Sequence, residues 1–507
     1  MPLRKTHHSL SEPVLFFWIN LILHIPLIGL NRGEFTDGIL QLDVWKYCVG
    51  LYPPLFGTLA QAIGALPFCN PEMAGRFIST LAASALVFPI WTLSAIITRN
   101  KTAGRMALLL LTFSPLLMRW SLHAMTDALF LFLSTSALTC LCCALDRQKA
   151  PRKTDVCLAG AVALTAAATL TRYQGIILLL PIAIVYFAAC ARTKTVMWRA
   201  ILAALLLTLV PLWIYFNGFA HSQQFTSRAA PSVGATILAW RNVAESFIYL
   251  SPYYFSLPLV LFAFIGACAY TYPTERQGRA SILLWSFWAL LILILQTTFQ
   301  SFQYRYMLPI LPLVIVLGGA GMTVLIQRIH NKKLRIVIFV IAFAWMLAQM
   351  IETVALQYQS FGDQKQAMQW VKENIPAQTP VFGNERYGQY SDIGCPKWKH
   401  WSNREILPCW TPDMAASIQP GAVIALSDAY GGDMSTQAIK DTITNRGLTL
   451  KQLVVFRVSV VPIFDDVMKN PAFNQNPLLW VMRYTPQVFY TRVYAIIPPQ
   501  TAAKTND

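Results

Sequence analysis

The sequence predicts an all-helical, multi-span membrane bundle of about eleven transmembrane helices followed by a C-terminal soluble α/β domain, and three observations predict it. Of the 507 residues, 55% are hydrophobic and only 12% are charged, a balance foreign to an ordinary soluble enzyme. Apolar runs of about 17 to 25 residues, the length that crosses a bilayer, recur along the chain up to residue 354. Beyond that point the runs stop, and short alternating and amphipathic patterns take their place.

The runs place spans near residues 13–30, 76–97, 104–119, 124–146, 156–172, 174–191, 198–217, 247–271, 280–299, 306–327 and 334–354. Several contain proline (Pro115, Pro181, Pro211, Pro258, Pro309, Pro312), which a bundle tolerates because neighbouring helices re-satisfy the freed backbone groups. Lys and Arg test the count, since an error of one span would scramble their alternation between loops. Eighteen fall on the side of Arg4 and Lys5, and eight fall on the other. The N-terminus is therefore expected in the cytoplasm of a multi-pass plasma (inner) membrane protein. With an odd span count, the first loop and everything after about residue 355 are expected outside. The start is basic, but its apolar run is long and has no small-residue cleavage site, as in an uncleaved first span.

The formal charge of +17 raises nucleic acid as a partner. Its distribution argues against that. Residues 1–354 hold 26 basic and 11 acidic groups, whereas residues 355–507 hold 14 and 12, so the excess follows topology and suits membrane lipids instead. Of ten cysteines, Cys48, Cys69, Cys395 and Cys409 fall in the outer segments. Cys48 with Cys69 and Cys395 with Cys409 are candidate disulfides, and free thiols are equally compatible with the spacing. No Cys/His spacing for zinc is present.

In the C-terminal domain, residues 355–507, Asp363–Ile375 and Met434–Arg446 read as amphipathic helices, the second stopped by Gly447. VFGNE and GAVIALSD read as buried strands, and LKQLVVFRVSVV and QVFYTRVYAII are rich in β-formers. No glycine-rich phosphate loop or nucleophile elbow accompanies them, so catalysis is sought in the membrane domain, residues 1–354, and its outer loop 31–75.

Polar residues there crowd one face. Glu34, Asp37 and Asp43 follow the first span, and Tyr52-Pro53-Pro54-Leu55 follows them. Arg119, His123 and Asp127 surround the start of the fourth predicted span. Arg172 lies in TRYQG, His221 and Arg228 lie in the longest middle loop, and Arg305 and Tyr306 enter a late span in RYMLPILP. Ionisable groups are costly beside hydrocarbon and mark functional sites there. Carboxylates paired with arginines suit a nucleophile that must lose a proton and a phosphate-bearing lipid.

In order and placement, GEFTDGILQ, YPPL, SLHAMTDALFLFL, TRYQG and RYMLPILP resemble the GT-C superfamily of polyprenyl-phosphate-sugar glycosyltransferases, in particular the protein O-mannosyltransferase and aminoarabinose-transferase-like family. That family commonly shows an adjacent Asp-Glu pair in the first loop, whereas here Phe35 and Thr36 separate Glu34 from Asp37. The resemblance implies that a first-loop acid deprotonates or orients the acceptor, which displaces the lipid phosphate with inversion. Asp37 is the first choice. Glu34 is a second carboxylate or a helix-end charge. Asp127 is left to hold the base, the acceptor or a metal, or to cap its helix. Arg172 and Arg305 are the expected donor-phosphate ligands, with snorkelling to the interface as their ordinary role. Asp43, Tyr52 and Tyr306 bind substrate or shape the loop.

The expected reaction moves a sugar from undecaprenyl- or dolichyl-phosphate to a glycan, lipid or protein acceptor at the extracytoplasmic face. A cofactor is not required by this reading, which leaves room for a divalent metal. The rival is a transporter or flippase of a lipid-linked glycan, for which midplane charge and inverted repeats are expected.

Overall fold

A computed structural model describes residues 11–44, 52–146, 150–205, 255–270, 276–297, 304–357, 361–385, 395–409, 411–428, 432–460 and 487–498. The chain divides into two units, Met1–Ile28 with Val44–Val354, and Gly29–Asp43 with Ala355–Asp507.

The first unit is helical. Among the described residues its helices are α1 (Ser11–His24), α3 (Leu55–Gly64), α4 (Pro71–Ala85), α5 (Val87–Thr98), α6 (Lys101–Thr112), α7 (Pro115–Ser121), α8 (Thr126–Asp146), α9 (Pro151–Thr171), α10 (Leu179–Thr193), α11 (Leu257–Tyr270), α12 (Arg276–Thr297), α13 (Leu311–Arg328) and α14 (Lys332–Gln357). Short α2 (Thr36–Leu42) belongs to the second unit. Six stretches among the described residues are long and apolar enough to cross a membrane, and Ser11–Leu27, Leu55–Gly64, Leu257–Ala269 and Gly278–Ile294 are shorter apolar helices. The chain is a multi-pass membrane protein. Most of the predicted span 198–217 lies outside the described residues.

Two predicted spans differ from the structure for local reasons. The run 104–119 breaks into α6 and α7 because Ser114 takes an extended conformation, its side chain accepts from Leu117 N at 3.4 Å, and Pro115 begins a new helix. The run 76–97 starts earlier, at Pro71, where Asn70 caps the helix by accepting from Met73 N at 2.9 Å. It is then divided at Leu86 into α4 and α5. Hydropathy alone registers neither break, since Ser114-Pro115 lies inside an apolar run and Leu86 is itself apolar.

Small residues set the closest approaches of helices. A Cβ at Gly321 of α13 would stand 1.9 Å from the Phe262 carbonyl of α11, and one at Gly266 of α11 would stand 1.9 Å from the Leu317 carbonyl. On the side toward α6, a Cβ at Gly319 would meet the Ala103 carbonyl at 2.5 Å. In a membrane, where lipid is as apolar as leucine, such backbone proximity drives helix association. Gly321→Val should therefore sharply reduce the folded protein recovered from membranes, since overpacking costs about 1–3 kcal/mol even where side chains can yield. Size-exclusion recovery after detergent extraction checks this. By contrast α14 leaves Ile336, Val337, Val340, Ile341 and Ile351 exposed, the surface that lipid solvates.

The second unit is a three-layer α/β/α domain. Strands β1 (Val381–Gly383), β2 (Leu407–Pro408), β3 (Val423–Ser427), β4 (Thr449–Val460) and β5 (Gln487–Ile497) form one sheet in the order β2-β1-β3-β5-β4. The pairs β2/β1 and β1/β3 are parallel, and β3/β5 and β5/β4 are antiparallel. Period-two alternation sorts the sheet's side chains. Val423, Ala425 and Val493 pack under α15 (Gly362–Asn374) and α16 (Pro396–Ser402), through Met368, Val371, Trp398 and Trp401. Ile424, Leu426 and Ile496 pack on the other face against Ile439 and Ile443 of α18 (Gly432–Asn445). Helix α17 (Pro412–Ala416) lies between β2 and β3 in the chain. Gly447, at φ +80, supplies the left-handed residue after α18.

All four strand readings and both helix readings of this domain appear as elements, with ends moved by a few residues. Three further elements have no counterpart among those expectations: the short β2 and α17, and α16, whose apolar content is two tryptophans in seven residues. Cys395 and Cys409 are free and buried here, and Cys69 is also free. Cys48 lies outside the described residues. Cys395 Sγ donates to the Gly383 and Glu385 carbonyls at 3.5 and 3.6 Å. Burial pushes the Cys409 thiol up to about 12 and the Cys395 thiol well above its ordinary value.

Candidate active site

The helical unit gathers its polar candidates at the corner between α7 and α8. Two hydroxyls of α4 hold that corner: Thr80 donates to the Ser121 carbonyl at 2.9 Å and Ser79 donates to the Met125 carbonyl at 3.0 Å. The corner is buried, and its groups could not reach water, so each bond offsets a desolvation cost.

From this corner Asp127, in the first turn of α8, is ion-paired with Arg172. Arg172 is the extended residue that ends α9, and its Nε donates to Gln174 Oε1 at 2.9 Å. The guanidinium also lies 5.9 Å from the Phe130 ring. Asp127 is 2% exposed, and its second oxygen, Oδ2, has no hydrogen-bond partner among the described residues. A buried carboxylate is tolerated when a cation meets it, and here TRYQG supplies that cation.

Arg305 enters the same corner from a 3-10 turn, Tyr304–Ile310, ahead of α13. It is 8% exposed. Its Nη1 reaches Met125 Sδ at 3.6 Å, and its guanidinium lies 5.7 Å from the Trp120 ring. Arg119 approaches the same indole at 5.2 Å, and His123 contacts it at 5.9 Å. Trp120 thus carries two guanidinium contacts, a cation–π arrangement that helps hold positive charge in a dry setting. Arg119 and His123 stand out in the sequence only as outer-face polar residues, and nothing local marks Trp120, an aromatic in an apolar run. Tyr52 is half-buried ahead of α3. The backbone of Tyr306 is in the 3-10 turn, while its side chain lies outside what is described.

Glu34, Asp37 and Asp43 belong to the second unit. Glu34 is fully buried and accepts from Asn31 Nδ2 at 3.4 Å. Asp37 is half-buried in the first turn of α2, where an acid also favours the helix dipole. Ile39, Leu40 and Leu42 on that helix are fully buried. Asp43, at its C-terminal end, contacts the imidazole of His400. Deeper in this unit, burial raises the pKa of Asp363, against hydrogen bonds from Thr491 and others and the nearby Lys397 charge.

No group of three or more His, Cys, Asp or Glu side chains among the described residues is placed to hold a metal ion.

Residues 52–216 match the pattern of the dolichyl-phosphate-mannose-protein mannosyltransferase family. No curated protein sequence matches. ArnT from Cupriavidus metallidurans, solved bound to undecaprenyl phosphate, is similar in structure, with a TM-score of 0.57, 13% identity, and coverage of 88% of this chain and 96% of that one. AglB, the archaeal oligosaccharyltransferase of Archaeoglobus fulgidus in complex with an inhibitory peptide and a dolichol-phosphate, gives 0.54 and 13%, covering 88% and 73%. The Archaeoglobus fulgidus oligosaccharyltransferase in its apo form gives 0.52 and 13%, covering 80% of this chain; the chain spans 64% of its length. The chain therefore has the fold of the GT-C glycosyltransferases, and within it residues 52–216 carry the dolichyl-phosphate-mannose-protein mannosyltransferase pattern.

Proposed function

We propose that this protein is a glycosyltransferase that moves a sugar from a polyprenyl phosphate, undecaprenyl or dolichyl, to an acceptor hydroxyl or amine at the extracytoplasmic face of the membrane. The observation that carries this reading is the buried corner of Asp127, Arg172, Arg305, Arg119 and Trp120 within a fold shared with an enzyme solved on undecaprenyl phosphate. Arginine forks match phosphate oxygens and stay charged when desolvated.

Roles follow from chemistry. Asp37 accepts the acceptor's proton as its oxygen or nitrogen bonds to the anomeric carbon. The bond from that carbon to the lipid phosphate breaks with inversion, and the electron pair leaves on the phosphate. Arg172 and Arg305 stabilise that developing charge. Asp127 holds Arg172 by its ion pair, which orients the fork before donor arrives. The N-terminus and the short basic loops are assigned to the cytoplasm and residues 355–507 to the outside, supported by the distribution of Lys and Arg.

The test uses purified full-length protein in nanodiscs with a radiolabelled polyprenyl-phosphate sugar and a membrane extract as acceptor. Release of free polyprenyl phosphate together with label on a new product is the expected result. Movement of intact lipid-linked sugar across the bilayer with no new product would identify a flippase and overturn the transferase reading.

A further inference from the structure

Helix α2 cannot hold its own position. It has seven residues, and its N-cap residue Phe35 offers no side-chain hydrogen bond; helices that short are not stable by themselves. Its C-cap residue is Asp43, a negative charge at the negative end of the helix dipole. Its placement therefore depends on contacts from elsewhere, and two of these come from the C-terminal part of its own unit. At the front end, Phe35 packs edge-on against Phe361 with ring centroids 5.6 Å apart. At the far end, His400 Nδ1 meets Asp43 Oδ2 across 357 positions of sequence.

His400 is itself firmly placed. It lies in the last turn of α16, whose first amides donate to one buried carboxylate: Lys397 N to Glu385 Oε1 at 3.2 Å and Trp398 N to Glu385 Oε2 at 2.9 Å. Trp398 and Trp401 anchor the same helix in the core under the sheet, and Lys397 Nζ lies 3.7 Å from the Phe361 ring that receives Phe35. Lys399, beside it in that last turn, is engaged with Glu405 at 2.5 Å. A continuous set of contacts thus runs from the sheet through Glu385, α16 and His400 to Asp43 and the helix that carries Asp37.

We propose that His400 is a positioning residue for sugar transfer: its contact with Asp43 fixes where α2, and with it Asp37, stands. This rests on the reading of Asp37 as the base. His400 acts through Asp43 and takes no proton from the acceptor.

The test measures kcat and KM for the polyprenyl-phosphate sugar on full-length protein in nanodiscs, for His400→Ala, Asp43→Ala, His400→Asn and Asp37→Asn. Binding of the polyprenyl phosphate alone is measured in parallel. Displacing a reacting group by about 1 Å costs up to about 100-fold in rate, so His400→Ala and Asp43→Ala should each lower kcat by about 10- to 100-fold. KM and lipid binding should stay within about twofold of wild type. His400→Asn, whose amide can donate from near the place of Nδ1, should recover kcat to within about fivefold. Equal losses in the Ala and Asn variants, or a raised KM with kcat unchanged, would overturn the proposal. So would wild-type kcat in His400→Ala while Asp37→Asn is inactive, which leaves the base assignment standing. Full activity in Asp37→Asn overturns that assignment and this proposal with it.

Discussion

Asp37→Asn should lower sugar transfer by about 10²- to 10⁴-fold, the usual contribution of a general base, with the protein still inserted and monodisperse in detergent. The amide keeps the shape of the side chain and loses its ability to take a proton. Asp37 is half-buried at the start of a helix, where loss of a favourable dipole interaction costs about 0.3–1 kcal/mol, too little to account for such a fall. Glu34→Gln and Asp127→Asn are the comparisons. Glu34 is fully buried beside Asn31, so its substitution should appear mainly as lost stability, and Asp127→Asn should act through Arg172. Full activity in Asp37→Asn with an inactive Glu34→Gln would move the base to Glu34. Full activity in all three would end the carboxylate mechanism.

Arg305→Ala should reduce use of the lipid-phosphate donor at least tenfold, because a hydrogen bond to a charged group is worth about 1.5–3 kcal/mol. Arg305→Lys should recover only part of this, since an ammonium cannot fork. Arg172→Ala is expected to do more than weaken donor binding. Its partner Asp127 is 2% exposed, and removing one half of a buried ion pair costs about 3–5 kcal/mol, so the yield of folded protein should fall as well. The double variant Arg172→Ala/Asp127→Asn separates the two effects: folded protein should return and donor use should not. Thermal unfolding in detergent, set beside single-turnover transfer, reads both. Recovery of transfer in the double variant would make the pair purely structural and remove Arg172 from the phosphate site.

Much of the fold was legible in local pattern. A span announces itself by an apolar run, a strand by alternation, and a helix stop by Gly447, each a property of near neighbours in sequence. The resemblance to GT-C enzymes was legible too, because its motifs lie at span ends, where polar residues are conspicuous against an apolar background. Breaks at Ser114-Pro115 and Leu86 were less so, because hydropathy averages over them.

What the sequence by itself determined was the class of the protein and the types of residue available for its chemistry: carboxylates early, arginines later, and an α/β domain at the end. Tertiary structure alone decided the partnerships. Asp127 and Arg172 meet across 45 positions, Arg305 and Met125 across 180, and Asp43 and His400 across 357. It also decided that residues 29–43, which in sequence follow the first span, group with the C-terminal unit. The reason is physical. Periodicity and hydropathy are set within a few residues of each position, whereas a buried charge can take any distant partner that packing brings within reach, and that packing depends on the whole chain.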